Sequence, residues 1–134
     1  MSRIVPVMRL DEHLDSQLNL IRAWAPDSVT LGTQRLQQPF IVAPQALITE
    51  WPVQAITELD DSSLAPLWAL TPQVVLLGAG TRTQWPPSAL RKLFADRNVA
   101  LEAMDLGAAC RTYNVLAQES RPVAALLFPG PTGI

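Results

Sequence analysis

Two short stretches of this chain hold residue types at spacings suited to recognition chemistry. The first is Gly78-Ala79-Gly80-Thr81-Arg82-Thr83, with Trp85 just beyond it. A glycine-rich loop that follows a buried strand and precedes a helix lets backbone N–H groups approach an anion, and Arg82 supplies matching charge. The second is Arg111-Thr112-Tyr113-Asn114, a polar run beside the apolar stripe of a helix. Asn114 is a poor helix former in mid-helix, and a residue that costs helix stability is kept for another purpose. The candidate ligand or partner contacts are therefore Gly78, Ala79, Gly80, Thr81, Arg82, Trp85, Arg111, Tyr113 and Asn114.

Each stretch also has a plain structural reading. The dinucleotide fingerprint needs a third glycine where this chain has Thr83, and the ribose partner about 20 residues further on has only Glu102 to fill it. The phosphate-loop lysine is missing as well, which rejects nucleotide sites of the familiar types. Two glycines also serve a tight strand exit that needs unusual backbone angles. Tyr113 and Asn114 are equally suited to satisfying buried polar groups. At this level both readings of both stretches stay open.

The remaining chemistry is sparse. Cys110 has no histidine to act as its base, and its place on an apolar stripe fits an inert core thiol. A single cysteine excludes an internal disulfide and any cysteine-based zinc site. His13, the one histidine, lies in a polar stretch without a second ligand nearby and reads as a solvated surface residue. No pair among Asp60, Asp61, Glu102, Asp105 and Glu119 calls for an acid/base dyad. No catalytic residue, metal ligand or cofactor is expected. The net charge of −2 and the want of a basic stripe argue against nucleic acid.

The elements that hold these stretches follow from hydrophobic patterning. Val74 to Leu77 is an unbroken apolar run, the mark of a strand covered on both faces. Pro87 opens a helix whose buried stripe is Leu90, Leu93 and Phe94. Asn98 begins the turn into a strand over Val99 to Ala103. Asp105 caps the longest helix, Leu106 to Glu119, with Leu106, Ala109, Cys110, Tyr113, Leu116 and Ala117 on one face. Pro122 leads into a final apolar strand that ends at Phe128.

Upstream, the texture from Leu18 to Trp51 is β. Short strands are expected at 20–24, 29–31, 35–37, 40–42 and 47–51, with a hairpin turn at Gly32-Thr33. Ser62 is expected to cap a short helix over 63–70. Of the four tryptophans, Trp24, Trp51 and Trp68 read as core candidates, and Trp85 as the exposed one. The order strand, helix, strand, helix, strand over residues 74–128 requires an α/β fold with a parallel or mixed sheet. It sets the 78–85 loop at the carboxyl end of a strand, where such sheets bind ligands.

With 134 residues and 49% hydrophobic content, the chain has the length and composition for a filled core without metal or disulfide staples. The expected division is an N-terminal arm over 1–16, one α/β domain over 17–130 and a tail over 131–134. No apolar stretch reaches the roughly 20 residues of a membrane helix. The amino terminus lacks the apolar core of a signal peptide, so a soluble, cytoplasmic chain is expected.

Four segments taken together resemble a known family. They are 75–80 (VLLGAG), 102–105 (EAMD), 108–116 (AACRTYNVL) and 119–126 (ESRPVAAL). The family is a small α/β group from bacteria, archaea and mitochondria, of unknown function in most members. Its eukaryotic branch is a mitochondrial assembly factor for respiratory complex I, the proton-pumping NADH:ubiquinone oxidoreductase. The resemblance runs from about Leu18 to Phe128, with two departures. Members commonly carry glycine-threonine-glycine where Ala79 is the middle residue here, and often glycine at the position of Ser120. It implies a single three-layer domain with a central mixed, partly parallel sheet flanked by helices and an N-terminal antiparallel β-meander. It also implies an assembly or interaction protein with protein partners, among them respiratory-chain subunits. The alternative is a small-molecule (anion) binding protein or enzyme that seats its ligand between the 78–82 loop and the Arg111–Asn114 helix.

Overall fold

A computed structural model describes residues 18–130. The N-terminal arm with His13 and the C-terminal tail lie outside the described residues. Among the described residues eight strands form two sheets. The first three, β1 (Ile21–Ala25), β2 (Ser28–Leu31) and β3 (Gln34–Leu36), make an antiparallel meander. The larger sheet holds β4 (Phe40–Ala43), β5 (Ala46–Ile48), β6 (Val74–Ala79), β7 (Ala100–Met104) and β8 (Val123–Phe128) in the order β5-β4-β8-β6-β7. β6 runs parallel to both β7 and β8, whereas β4 is antiparallel to β5 and β8. The fold is α/β with a mixed sheet, as the element order requires.

The central strands are apolar without alternation because both faces of the sheet are covered. In β8, Ala124, Leu126 and Phe128 point to one core, and Val123, Ala125 and Leu127 to the other. β6 divides likewise, with Val75, Leu77 and Ala79 on the first side and Leu76 on the second. This two-sided burial follows from the period of two along a strand.

The first core is closed by α1 (Ala65–Trp68), α2 (Ser88–Asp96) and the segment carrying Trp51, Val53, Ile56 and Leu59. The second is closed by α3 (Leu106–Gln118) and the meander, through Ile21, Val29 and Leu31. The chain steps from β6 outward to β7, then back past β6 to β8. Crossovers of one hand made in opposite directions put their helices on opposite faces, and α2 and α3 lie so. The result is three layers.

Three local expectations need correction. α1 is shorter than the expected 63–70, and Ser62 does not cap it; Ser63 and Asp60 make the turn by exchanging bonds, Asp60 Oδ1 accepting from Ser63 N–H at 2.7 Å and Ser63 Oγ from Asp60 N–H at 2.9 Å. β5 stops at Ile48 instead of running to Trp51, because Trp51 leaves the sheet to bury its ring and donate from Nε1 to the Ser63 carbonyl at 2.9 Å. Trp24 is not a core residue. It is 44% exposed, and its ring packs so closely on Gly107 at the start of α3 that a Cβ there would run into it.

Candidate functional site

The loop after β6 is set by its two glycines. Gly78 is buried in the strand, and a Cβ there would run into the Ala109 side chain of α3. Glycine at this position lets helix and strand approach closely. Gly80 has φ +68°, a left-handed conformation that a side chain disfavours. Its carbonyl accepts from Leu106 N–H at 3.0 Å, which ties the loop to the first turn of α3. The same turn is capped by Asp105, whose Oδ1 accepts from Ala108 N–H at 2.7 Å.

Beyond Gly80 the chain turns out to water. Thr81, Arg82 and Thr83 are exposed, Gln84 is half-buried against Gly80, and Trp85 is 83% exposed. Pro86 is buried beneath this tip, and Pro87 stands at the N-cap of α2. A large apolar ring is thus held in water by a prolyl-prolyl support with few backbone conformations.

The second stretch is arranged otherwise. Tyr113 is fully buried and donates its hydroxyl to the Asn19 carbonyl at 2.6 Å. Asn114 accepts from Ile21 N–H and donates to the Ile21 carbonyl, each at 2.8 Å. Their polar atoms are engaged by backbone, so the structural use of this stretch is the one seen. Arg111 is exposed on the outer side of α3. Asn114 stands eight residues beyond Leu106, about 12 Å along the helix axis. The fold brings the 78–80 loop to the start of α3 but does not bring it to Tyr113 or Asn114.

Burial pushes the Cys110 thiol up to about 12, against a smaller lowering by Arg111 and beside a smaller raising by Asp105. Burial likewise raises Tyr113. Neither group is an activated nucleophile at neutral pH. No group of three or more His, Cys, Asp or Glu side chains is placed to hold a metal ion among the described residues. Three surface pockets of about 210–230 Å³ are lined by residues of the β4–β5 turn, of the Trp68–Arg97 corner and of the Leu18–Leu20 entry. None of these three is lined by Gly78–Trp85 or by Arg111–Asn114.

Sequence reasoning passed over Arg91. It is exposed on the first turn of α2, where its N–H bonds the Pro87 carbonyl at 3.1 Å, and it makes no ion pair among the described residues. The available signal was the run from Ser62 to Ala95, which contains no Asp or Glu.

A family model described as "Protein of unknown function (DUF498/DUF598)" matches residues 21–128. The chain belongs to this family. Among its relatives, the NADH dehydrogenase [ubiquinone] 1 alpha subcomplex assembly factor 3 of Danio rerio is 31% identical over 116 residues, 85% of this chain and 66% of that protein. The chain therefore spans less than two thirds of that relative's length. Two solved structures are similar to this one. A Xanthomonas campestris protein matches with a TM-score of 0.77 and 36% identity, covering 95% of this chain and 91% of that one. A Bordetella pertussis protein described as a Mth938-like domain matches with a TM-score of 0.70 and 28% identity, covering 89% of this chain and 90% of that one. No helix among the described residues is long and apolar enough to cross a membrane.

Proposed function

We propose that this DUF498/DUF598 domain is a non-enzymatic assembly or interaction protein that contacts its protein partners through the loop from Gly78 to Trp85. The observation that carries the reading is Trp85, whose ring is 83% exposed on a loop at the carboxyl end of β6. Leaving a tryptophan in water costs burial energy, and such rings anchor interfaces when a partner covers them. Arg82 and the Thr81 and Thr83 hydroxyls beside it supply a polar rim. The name of the Danio rerio relative supports respiratory-chain subunits of complex I as the partners. A cytoplasmic location belongs to the same proposal, as do Arg111 and the outer side of α3 as a secondary contact.

The test is affinity purification of the tagged chain from its own cells, beside a Trp85→Ala, Arg82→Ala variant. Respiratory subunits recovered by the wild-type chain and lost by the variant are the expected result. Equal recovery by both would move the contact surface elsewhere, and no recovery above background would remove the assembly reading.

A further inference from the structure

Charge decides what this surface can hold. From Ser62 to Ala95 the chain has three cations, Arg82, Arg91 and Lys92, and no carboxylate. Lys92 is compensated by Asp96, Nζ to Oδ2 at 3.1 Å. Arg82 and Arg91 are exposed and have no ion pair or side-chain hydrogen bond among the described residues. The neighbouring carboxylates are otherwise placed. Asp105 is turned to the α3 N-terminus as its cap, and Glu102 projects from β7. A chain of net charge −2 therefore carries two exposed, uncompensated guanidinium groups that bracket its most exposed tryptophan in sequence, three residues before it and six after.

We propose that the surface from Thr81 to Arg91 docks an acidic peptide segment of a partner protein, one that places an apolar side chain on Trp85 and carboxylates on Arg82 and Arg91. The inference rests on the interaction reading above and adds the chemistry of the partner. Guanidinium groups pair with carboxylates in bidentate fashion. Trp85 needs an apolar contact that a free inorganic anion does not offer. A nucleic acid would require a longer basic track than two arginines. Pro86 and Pro87 hold the tip before binding, so little ordering is lost when the segment arrives.

The experiment is selection of a phage-displayed library of random peptides on the intact chain, followed by fluorescence anisotropy of enriched peptides. Enrichment of Asp and Glu around an apolar residue is expected. Affinity should fall about tenfold or more in Trp85→Ala and in Arg82→Glu, Arg91→Glu, and should weaken with added salt. Lys92→Gln, which removes the compensated cation, should bind as the wild type does. Peptides without acidic excess, or acidic peptides that bind the charge-reversed chain equally well, would overturn the proposal. So would an oligothymidine probe that binds through the same arginines while no acidic peptide is selected. The two readings fail separately. Cellular partners lost in Trp85→Ala but kept in Arg82→Glu, Arg91→Glu would leave the interaction role standing without its acidic segment. Acidic peptides bound in vitro, with no partner recovered from cells, would leave the surface chemistry without the cellular role.

Discussion

Asn114 binds Ile21 with both ends of its amide, accepting from its N–H and donating to its carbonyl, each at 2.8 Å. Ile21 opens β1, a strand that among the described residues pairs only with β2. The amide of Asn114 thus completes the hydrogen bonding of a strand residue as a neighbouring strand would. That pairing accounts for an asparagine in the middle of α3.

Asn114→Ala is expected to cost roughly 2–3 kcal/mol, because it strands two backbone groups of Ile21. Asn114→Asp should also destabilise, since it keeps the acceptor and loses the donor. Urea unfolding followed by far-UV circular dichroism measures both. A loss below about 0.5 kcal/mol in Asn114→Ala would mean water replaces the amide at no cost and the clamp is incidental.

Gly78 and Ala109 form a matched pair across β6 and α3. Gly78→Ala is expected to destabilise by about 1–3 kcal/mol through overpacking. Moving the methyl across the interface, in Gly78→Ala with Ala109→Gly, should recover part of that loss. A double-mutant cycle from thermal unfolding reads the coupling. Strict additivity of the two changes would show that helix and strand do not touch there.

Ser120 follows α3 with φ +62°. Its N–H bonds the Ala117 carbonyl at 3.1 Å, and Arg121 N–H bonds Leu116 at 3.0 Å, which closes the helix in a Schellman motif. The left-handed angle is one that glycine adopts without steric cost and serine does not. Ser120→Gly should stabilise the fold by about 0.5–1 kcal/mol, less the entropy glycine adds to the unfolded chain. A lower urea midpoint in this variant would mean the serine hydroxyl makes a stabilising bond of its own.

Burial holds the Cys110 thiol protonated, raising it from 9.0 to about 12, and raises Tyr113 in the same direction. Both groups are neutral when protonated. Well below pH 9 folded and unfolded chains both keep these protons, so stability does not depend on them. Above it the unfolded chain releases protons that the folded chain retains, and stability falls progressively towards pH 12. Urea midpoints at about pH 7.5 and about pH 10 should differ, and Cys110→Ala should reduce the difference. Rapid modification of Cys110 by a thiol reagent in the native state would contradict its burial.

The loop and α2 were legible because their signals are local. An unbroken apolar run marks a strand covered on both faces. Proline at a helix start and an aspartate cap at Asp105 are read one residue at a time. Exposed Trp85 was legible for the same reason, since a tryptophan between polar residues and prolines has no periodic pattern to bury it. Trp24 was misplaced because its setting depends on Gly107, more than eighty residues away in sequence. The early end of β5 was missed because the destination of Trp51 lies across a turn, at Ser63.

The sequence by itself determined the order of elements, the two-sided burial of β6 and β8, and the loop that faces water. Those follow from hydrophobic period and from residues with narrow backbone preferences. Only the tertiary structure decided what Tyr113 and Asn114 do, because the groups they satisfy, at Asn19 and Ile21, are more than ninety residues distant and nothing local marks them. Arg91 is a similar case: the helix start at Pro87 sets it on the first turn of α2, but only the folded chain shows that it has no ion pair among the described residues.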